Sequence, residues 1–262
     1  MKVEKFELID QRDYTIDLDQ NETILYYYLQ IFREMLDEEY FVNNTVELIN
    51  QTMQFNPLKP YLTFGDIRKA PRKYIDKELD WYLSQDLSIN GWMDDVKIWN
   101  HVCTKDDKKE INSNYGWCIF SEANGNQYEN ALNALIKDQN TRQAIMIYTR
   151  PSMHTEYNRN GMHDFCCTNN VHVFIREQSL IYKVDQRSCD LVTGLFNDFA
   201  WHCFVYQQLL KDLEKNDIFI QSGVIDYNIG SLHIYERNYD LLKKLTDYKW
   251  NRNNNEEYDS QT

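Results

Sequence analysis

The runs VHVFIR (171–176) and SLIYKVD (179–185) are rich in β-branched and aromatic residues, and only Glu177 and Gln178 separate them. That spacing predicts a β-hairpin, so at least part of the chain is committed to an antiparallel sheet. Helical patterns flank it. Residues 19–38 place apolar side chains at 24, 25, 28, 29, 31, 32, 35 and 36, which fall on one face of a helix. Residues 197–214 predict a second long amphipathic helix, with Ala200, Cys203, Phe204 and Leu210 on one side. QAIMIY (143–148) predicts a further strand, and DIFIQSGVIDYNIGSLHIY (217–235) predicts two more. Three of the four prolines lie in 56–71, a loop with a short strand, and YIDKELDWYL (74–83) follows as a helix. Hairpin strands mixed with long helices define an α+β chain with a mixed sheet. The 262 residues suffice for one large core, and residues 1–262 are expected to form a single domain. Its polar tail from about 251, within NRNNNEEYDSQT, is expected to be mobile.

On the 74–83 helix, Ile75, Leu79 and Tyr82 mark the inner side. Glu78 falls with them, three residues after Ile75 and four before Tyr82. A carboxylate on a buried face is costly unless it has a partner or a task. An edge glutamate reaching water is the ordinary alternative.

Charge narrows the ligands. A formal net charge of −13 with no Lys/Arg-rich run argues against a polyanion, so no nucleic acid partner is expected. A mononucleotide is different, because two or three converging arginines can hold one phosphate. No apolar stretch reaches the roughly 18 residues of a membrane helix, and the start MKVEKFELIDQRDY lacks the apolar core of a secretory signal. No membrane contact and a cytoplasmic location are expected. The six cysteines include no CxxC and no His-x3-5-His partner, so no metal is expected. The adjacent pair Cys166–Cys167 in DFCCTNN stays open on these grounds, as two packing residues or as one packing residue and one nucleophile.

Motifs go further. YKVDQRSCDLVTGLFNDFAW (182–201) resembles the thymidylate synthase signature, in which Gln-Arg-Ser-x-Asp on a strand runs through glycine into a long helix. In the same order along roughly 40–240, ELDWYL (78–83), KIWN (97–100), NYG (114–116) and LHIY (232–235) resemble further motifs of that family. The resemblance implies a mixed twisted sheet flanked by helices, with sheets packed back to back in a homodimer. It makes Cys167 the nucleophile, which adds to an electron-poor pyrimidine carbon and later leaves, and Cys166 a packing residue. It assigns Arg187 and Ser188 to the nucleotide phosphate and His233 and Tyr235 to the sugar hydroxyl. Asp190 is implied at the substrate and folate, Trp99 at the folate, and Glu78 at ordered water and protons beside base and folate. Arg142 matches an arginine that reaches the partner subunit's phosphate, although its neighbour is Gln143 rather than a second arginine.

Counted without gaps from Arg187, the family's uracil-reading asparagine falls on Asp198. A shift of one residue would restore Asn197 but lose the match at Ala200. A carboxyl group that shares one proton complements the amino donor and bare ring nitrogen of cytosine. With Asp198, INSNYGW (111–117), IMIYTRPSM (145–153), the CTN from Cys167 and NDxAW (197–201), the chain looks closest to the bacteriophage deoxycytidylate hydroxymethylases. Thr168 in place of a histidine and Val102 in place of a second tryptophan agree with that branch. The implied reaction takes dCMP and 5,10-methylenetetrahydrofolate to 5-hydroxymethyl-dCMP and tetrahydrofolate, with water completing the product. A methylating enzyme on dCMP, CMP or dUMP and a catalytically silent nucleotide-binding protein stand as alternatives.

Overall fold

The computed structural model describes residues 20–247; the expected mobile tail lies outside them, as does Asp19 at the start of the first predicted helix. The chain begins with α1 (Gln20–Asp37), followed by β1 (Thr45–Phe55) and a small ladder of β2 (Thr63–Phe64) and β3 (Arg68–Lys69). Then come α2 (Arg72–Ser84), α3 (Lys97–Val102), α4 (Tyr115–Phe120), α5 (Gln127–Lys137), β4 (Ile145–Ile147) and the single turn α6 (Met153–Glu156). β5 (Thr168–Arg176) and β6 (Ser179–Asp190) precede α7 (Gly194–Glu214) and β7 (Ser222–Tyr235), after which residues 239–247 are helical. The main sheet has the order β1-β7-β6-β5-β4. Only β6 and β7 run parallel, with α7 as the crossover between them. The predicted α+β class with a mixed sheet is the class observed.

The hairpin forms as its spacing demands. Arg176 pairs with Ser179, and Glu177 and Gln178 both take left-handed backbone, at φ 50° and 61°, as a two-residue turn of this twist requires. The two strands expected in 217–235 are one. β7 runs unbroken for 14 residues, and Asp217–Ile220 is irregular. Gly230 lies inside the strand, where its lack of a side chain serves close approach: a Cβ there would sit 2.9 Å from the Arg187 carbonyl oxygen. β1 escaped notice because its middle, ELINQTMQ, is polar and largely exposed at the sheet edge. α5 was likewise not foreseen.

α7 starts three residues earlier than expected and is far from one-sided. Leu195, Phe196, Phe199 to Gln207, Leu209 and Leu213 are buried, so nearly every face meets protein. Phe199 packs on Phe55 and near Tyr227, and Trp201 packs on Tyr82 and Phe120. Each such buried aromatic contributes about 1.5–3 kcal/mol relative to exposure. The buried apolar side chains form one continuous cluster.

The NYG motif clamps α2 against α4. Asn114 Oδ1 accepts from the Trp117 N–H, capping α4, while Asn114 Nδ2 donates to the Trp81 and Asp86 carbonyls at the end of α2. Tyr115 stacks on Tyr82, with centroids 5.3 Å apart. Gly116 lets the helices touch, because a Cβ there would lie 1.7 Å from the Tyr82 carbonyl oxygen. Backbone cannot turn aside as a side chain can. Gly116→Ala is therefore expected to destabilise the fold by at least about 1–3 kcal/mol, measured by chemical denaturation.

Candidate active site

The peptide around Cys167 is fixed from both sides. Asp164 accepts from the N–H groups of Asn112 and Ser113, both at 2.7 Å, and from Ser113 Oγ at 2.8 Å. These bonds tie the loop before β5 to the segment before α4. The Cys167 carbonyl accepts from the Arg187 N–H, and the Thr168 N–H donates to the Tyr115 hydroxyl. Cys166 is fully buried beside Asn112 and Ser113, whereas Cys167 is only partly buried. The two adjacent thiols thus sit in different surroundings.

The Arg187 guanidinium donates to the Phe165 and Cys166 carbonyls at 2.7 and 2.9 Å and lies 3.9 Å from Cys167 Sγ. Its charge favours the thiolate. Burial and the nearby Asp198 act the other way and dominate, pushing the Cys167 thiol up to about 12. Asp198, on the first turn and a half of α7, is raised to about 6 by burial, partly offset by Gln186, whose Nε2 donates to Asp198 Oδ2 at 2.9 Å. The same amide nitrogen lies 3.3 Å from Thr168 Oγ1. Thr168 Oγ1 in turn lies 3.4 Å from His202 Nε2, and His202 Nδ1 lies 3.2 Å from the Tyr182 hydroxyl. Full burial lowers His202 to about 3, so this imidazole is neutral.

Glu78 closes the cluster from α2. It is 5 % exposed, and its carboxyl is raised to about 8 by burial and by Asp198, against the bond from Tyr74. The Tyr74 hydroxyl donates to Glu78 Oε1 at 2.7 Å and accepts from Trp99 Nε1 at 3.0 Å. Beside Tyr74 opens a cavity of about 800 Å³ lined by Tyr61, Lys69, Pro71, Arg72 and Lys73. An aromatic and basic recess of that size suits a flat heterocycle with an anionic tail.

The residues singled out in the sequence divide into groups. Arg187 meets Cys167, Trp99 reaches Glu78 through Tyr74, and the Asp198 charge acts on both Cys167 and Glu78. His233 pairs with Asp190 across β7 and β6, is held below its ordinary range by burial, and stands edge-on to Tyr235. Asp190 Oδ1 accepts from the Val192 and Thr193 N–H groups, and Oδ2 from the Thr193 hydroxyl, which shapes the entry to α7. Ser188 pairs with Ser231 on β7. Asn197 is partly buried with an unpartnered Oδ1, while its neighbour Asp198 carries the bond to Gln186. Arg142 is exposed before β4, where its carbonyl meets His172 Nε2 at 2.9 Å on the far face of the sheet. It touches none of the others within this chain. Tyr74, the partnership of Gln186 with Asp198, and the His202 contact were not foreseen. Only Tyr74 had a usable signal, since it precedes Glu78 by four residues on the same helix. Among the described residues there is no grouping of three His, Cys, Asp or Glu placed to hold a metal, and no helix long and apolar enough to cross a membrane.

The partly buried Cys167 thiol lies beside Arg187, with the Glu78 and Asp198 carboxyls supplied by separate helices. The chain belongs to the thymidylate synthase family, whose members are one-carbon transferases. The sequence model of that family, described as thymidylate synthase, matches residues 27–254. The chain is 41 % identical over 210 residues to the deoxycytidylate 5-hydroxymethyltransferase of Enterobacteria phage T2, covering 79 % of this chain and 80 % of that protein. The enzyme of the same description from Enterobacteria phage T4 is 41 % identical over 209 residues, with the same shares. A thymidylate synthase of Fusobacterium nucleatum is 29 % identical over 182 residues, covering 67 % of this chain and 61 % of that one.

Removing the buried charge tests the electrostatics. The Glu78 carboxyl has an ordinary value of 4.5 and a folded one of about 8. Between these the folded chain holds the proton longer than the unfolded chain, so this group's contribution to stability falls as pH rises through the interval. Glu78→Gln is expected to raise the thermal midpoint at pH 8 by about 2–4 °C or more, with the gap to wild type narrowing toward pH 5, by scanning calorimetry.

Proposed function

We propose that this chain is a deoxycytidylate 5-hydroxymethyltransferase, converting dCMP and 5,10-methylenetetrahydrofolate to 5-hydroxymethyl-dCMP and tetrahydrofolate. The observation that carries the choice of base is Asp198, a carboxyl with a raised pKa linked through Gln186 to the strand that bears Arg187. Because Gln186 donates to Oδ2, the shared proton belongs on Oδ1, which offers a donor to the cytosine ring nitrogen. The second oxygen keeps a lone pair for the amino group. The relatives of this description from phages T2 and T4 support the same reading.

In this reading Arg187 and Ser188 hold the phosphate, with Arg142 contributed from a partner subunit, and His233 and Tyr235 hold the sugar hydroxyl. Asn197 and Asp190 border the nucleotide, and Asp190, Trp99 and Glu78 border the folate. The folate supplies a one-carbon unit at the oxidation level of formaldehyde. Cys167 adds as thiolate to carbon 6, which makes carbon 5 nucleophilic toward that unit. Carbon 5 bonds to that unit and loses its proton to a base. The electron pair of the broken C–H bond forms the exocyclic methylene as the bond from the one-carbon unit to the folate nitrogen breaks and expels tetrahydrofolate. A water oxygen bonds to that methylene, Glu78 takes the water proton, and the electron pair returned to the ring expels the Cys167 thiolate. A thiol that is neutral in the free protein suits a nucleophile made ready only when substrate is bound beside it.

The chain acts as a single domain over 1–262 and as a homodimer whose sheets pack back to back. His172, Lys183, Asp185 and Asn228 lie on the far face, where Lys183 and Asn228 both meet Asp185. The dimer places the exposed Arg142 where a neighbour can use it. It works in the cytoplasm of the host, without membrane, nucleic acid or metal.

Mass spectrometry of the product formed from dCMP and methylenetetrahydrofolate, beside a parallel dUMP reaction, tests the activity. Hydroxymethylated dCMP is expected; a methylated nucleotide, or turnover of dUMP alone, would overturn the reading. Asp198→Asn is expected to reverse base preference, with the dCMP-to-dUMP ratio of kcat/KM falling by about 100-fold or more, because an amide complements uracil instead.

A further inference from the structure

Glu78 has two carboxyl oxygens, and an acid–base group is useful only if its exchangeable proton sits on the oxygen that faces the reacting atoms. The neighbours of Glu78 decide which one that is. Trp99 Nε1 can only donate, and it donates to the Tyr74 hydroxyl oxygen at 3.0 Å. The hydroxyl proton then points to the remaining partner, Glu78 Oε1, at 2.7 Å. Among the described residues the Tyr74 hydroxyl has no other hydrogen-bond partner, and a proton on Oε1 would leave the phenol proton only the weaker acceptor of a carboxylic O–H oxygen. Oε1 is thus the favoured acceptor whether Glu78 is charged or neutral, and a neutral Glu78 carries its proton by preference on Oε2. The direction of the chain Trp99 to Tyr74 to Glu78 is set by its first member.

We propose that Tyr74, oriented by Trp99, is a positioning residue that makes Glu78 Oε1 the favoured acceptor and so directs proton exchange to Oε2. This deepens the hydroxymethyl-transfer reading above and rests on it. As water adds to the exocyclic methylene, its O–H bond breaks, the proton goes to Oε2, the new C–O bond forms, and the carbon–sulfur bond to Cys167 opens. With Tyr74 absent this preference is lost, and more of the protonated population carries its proton on Oε1. Glu78 also loses a donor that favours its charged form. The titratable groups that face it are Tyr74 and Tyr82 from α2 and Asp198 from α7. Neither Tyr82 nor Asp198 is altered by the change.

The test uses Tyr74→Phe, Trp99→Phe and the double variant of the full chain, with kcat, KM for dCMP and for the folate, and the pH profile of kcat. Tyr74→Phe is expected to lower kcat about tenfold or more, a part of the roughly 10²–10⁴-fold that such a group contributes. KM for dCMP should stay within about threefold, and the limb of the profile set by Glu78 should move to higher pH. Trp99→Phe should move the same limb in the same direction by less, and in the Tyr74→Phe background its effect on kcat should vanish while any effect on folate KM persists. An unshifted limb in Tyr74→Phe, or kcat losses that multiply in the double variant, would overturn the proposal. If Tyr74→Phe does not fold, the limb in Trp99→Phe decides alone. A wild-type protein that methylates instead would sink the activity reading, while release of tritium from carbon 5 would still report the same pH limb and so judge the proton placement separately.

Discussion

The burial of α7 is the constraint on which the rest of the structure depends. A helix enclosed on nearly all sides by aromatic and aliphatic side chains has no freedom to turn or slide, because interiors pack at crystal-like density. Its polar residues are therefore held as firmly as its apolar ones. Asp198 and His202 face the inner side of the sheet at fixed points, and Gln186 and Thr168 on β6 and β5 meet them there. The same packing brings Tyr82 and Tyr115 to Trp201, which draws α2, and with it Glu78, into position.

That enclosure has an electrostatic consequence. Glu78, Asp198 and Cys167 all ionise at higher pH than they would in water, chiefly because burial disfavours charge and secondarily because Asp198 repels the other two. Arg187 is the cation that opposes this at the thiol. Between its ordinary and its raised value, each group of the free site thus holds a proton that it would have lost in water. Such a site is held in a costly state by folding energy gained elsewhere in the core, and three neighbouring acid groups with raised pKa values are a chemical signature in themselves.

The hairpin, the long helices and the strand 145–147 were legible because their patterns are local: a two-residue turn and helical spacing need no distant partner. The two strands expected in 217–235 are the single strand β7, whose Gly230 answers to the Arg187 carbonyl across the sheet, a contact no local pattern reveals. β1 was missed because an edge strand with one polar face carries a weak pattern. Glu78 was visible as a carboxylate on an apolar face, and Cys167, Arg187 and Asp198 through the register of their motif. Gln186 and His202 were hidden as partners, since nothing local connects residue 168 or 186 to a turn of a helix at 198–202.

The sequence by itself determined the class of fold and the family, and it singled out the candidate reacting groups, because hydrophobic periodicity and motif spacing are properties of the chain read in order. Tertiary structure alone decided how those groups are paired: which thiol of Cys166 and Cys167 is sealed away, which oxygen of Asp198 accepts from Gln186, and that Trp99 directs Tyr74 toward Glu78. Hydrogen-bond direction and desolvation depend on what stands within a few ångströms, and those neighbours come from strands and helices far apart in the chain.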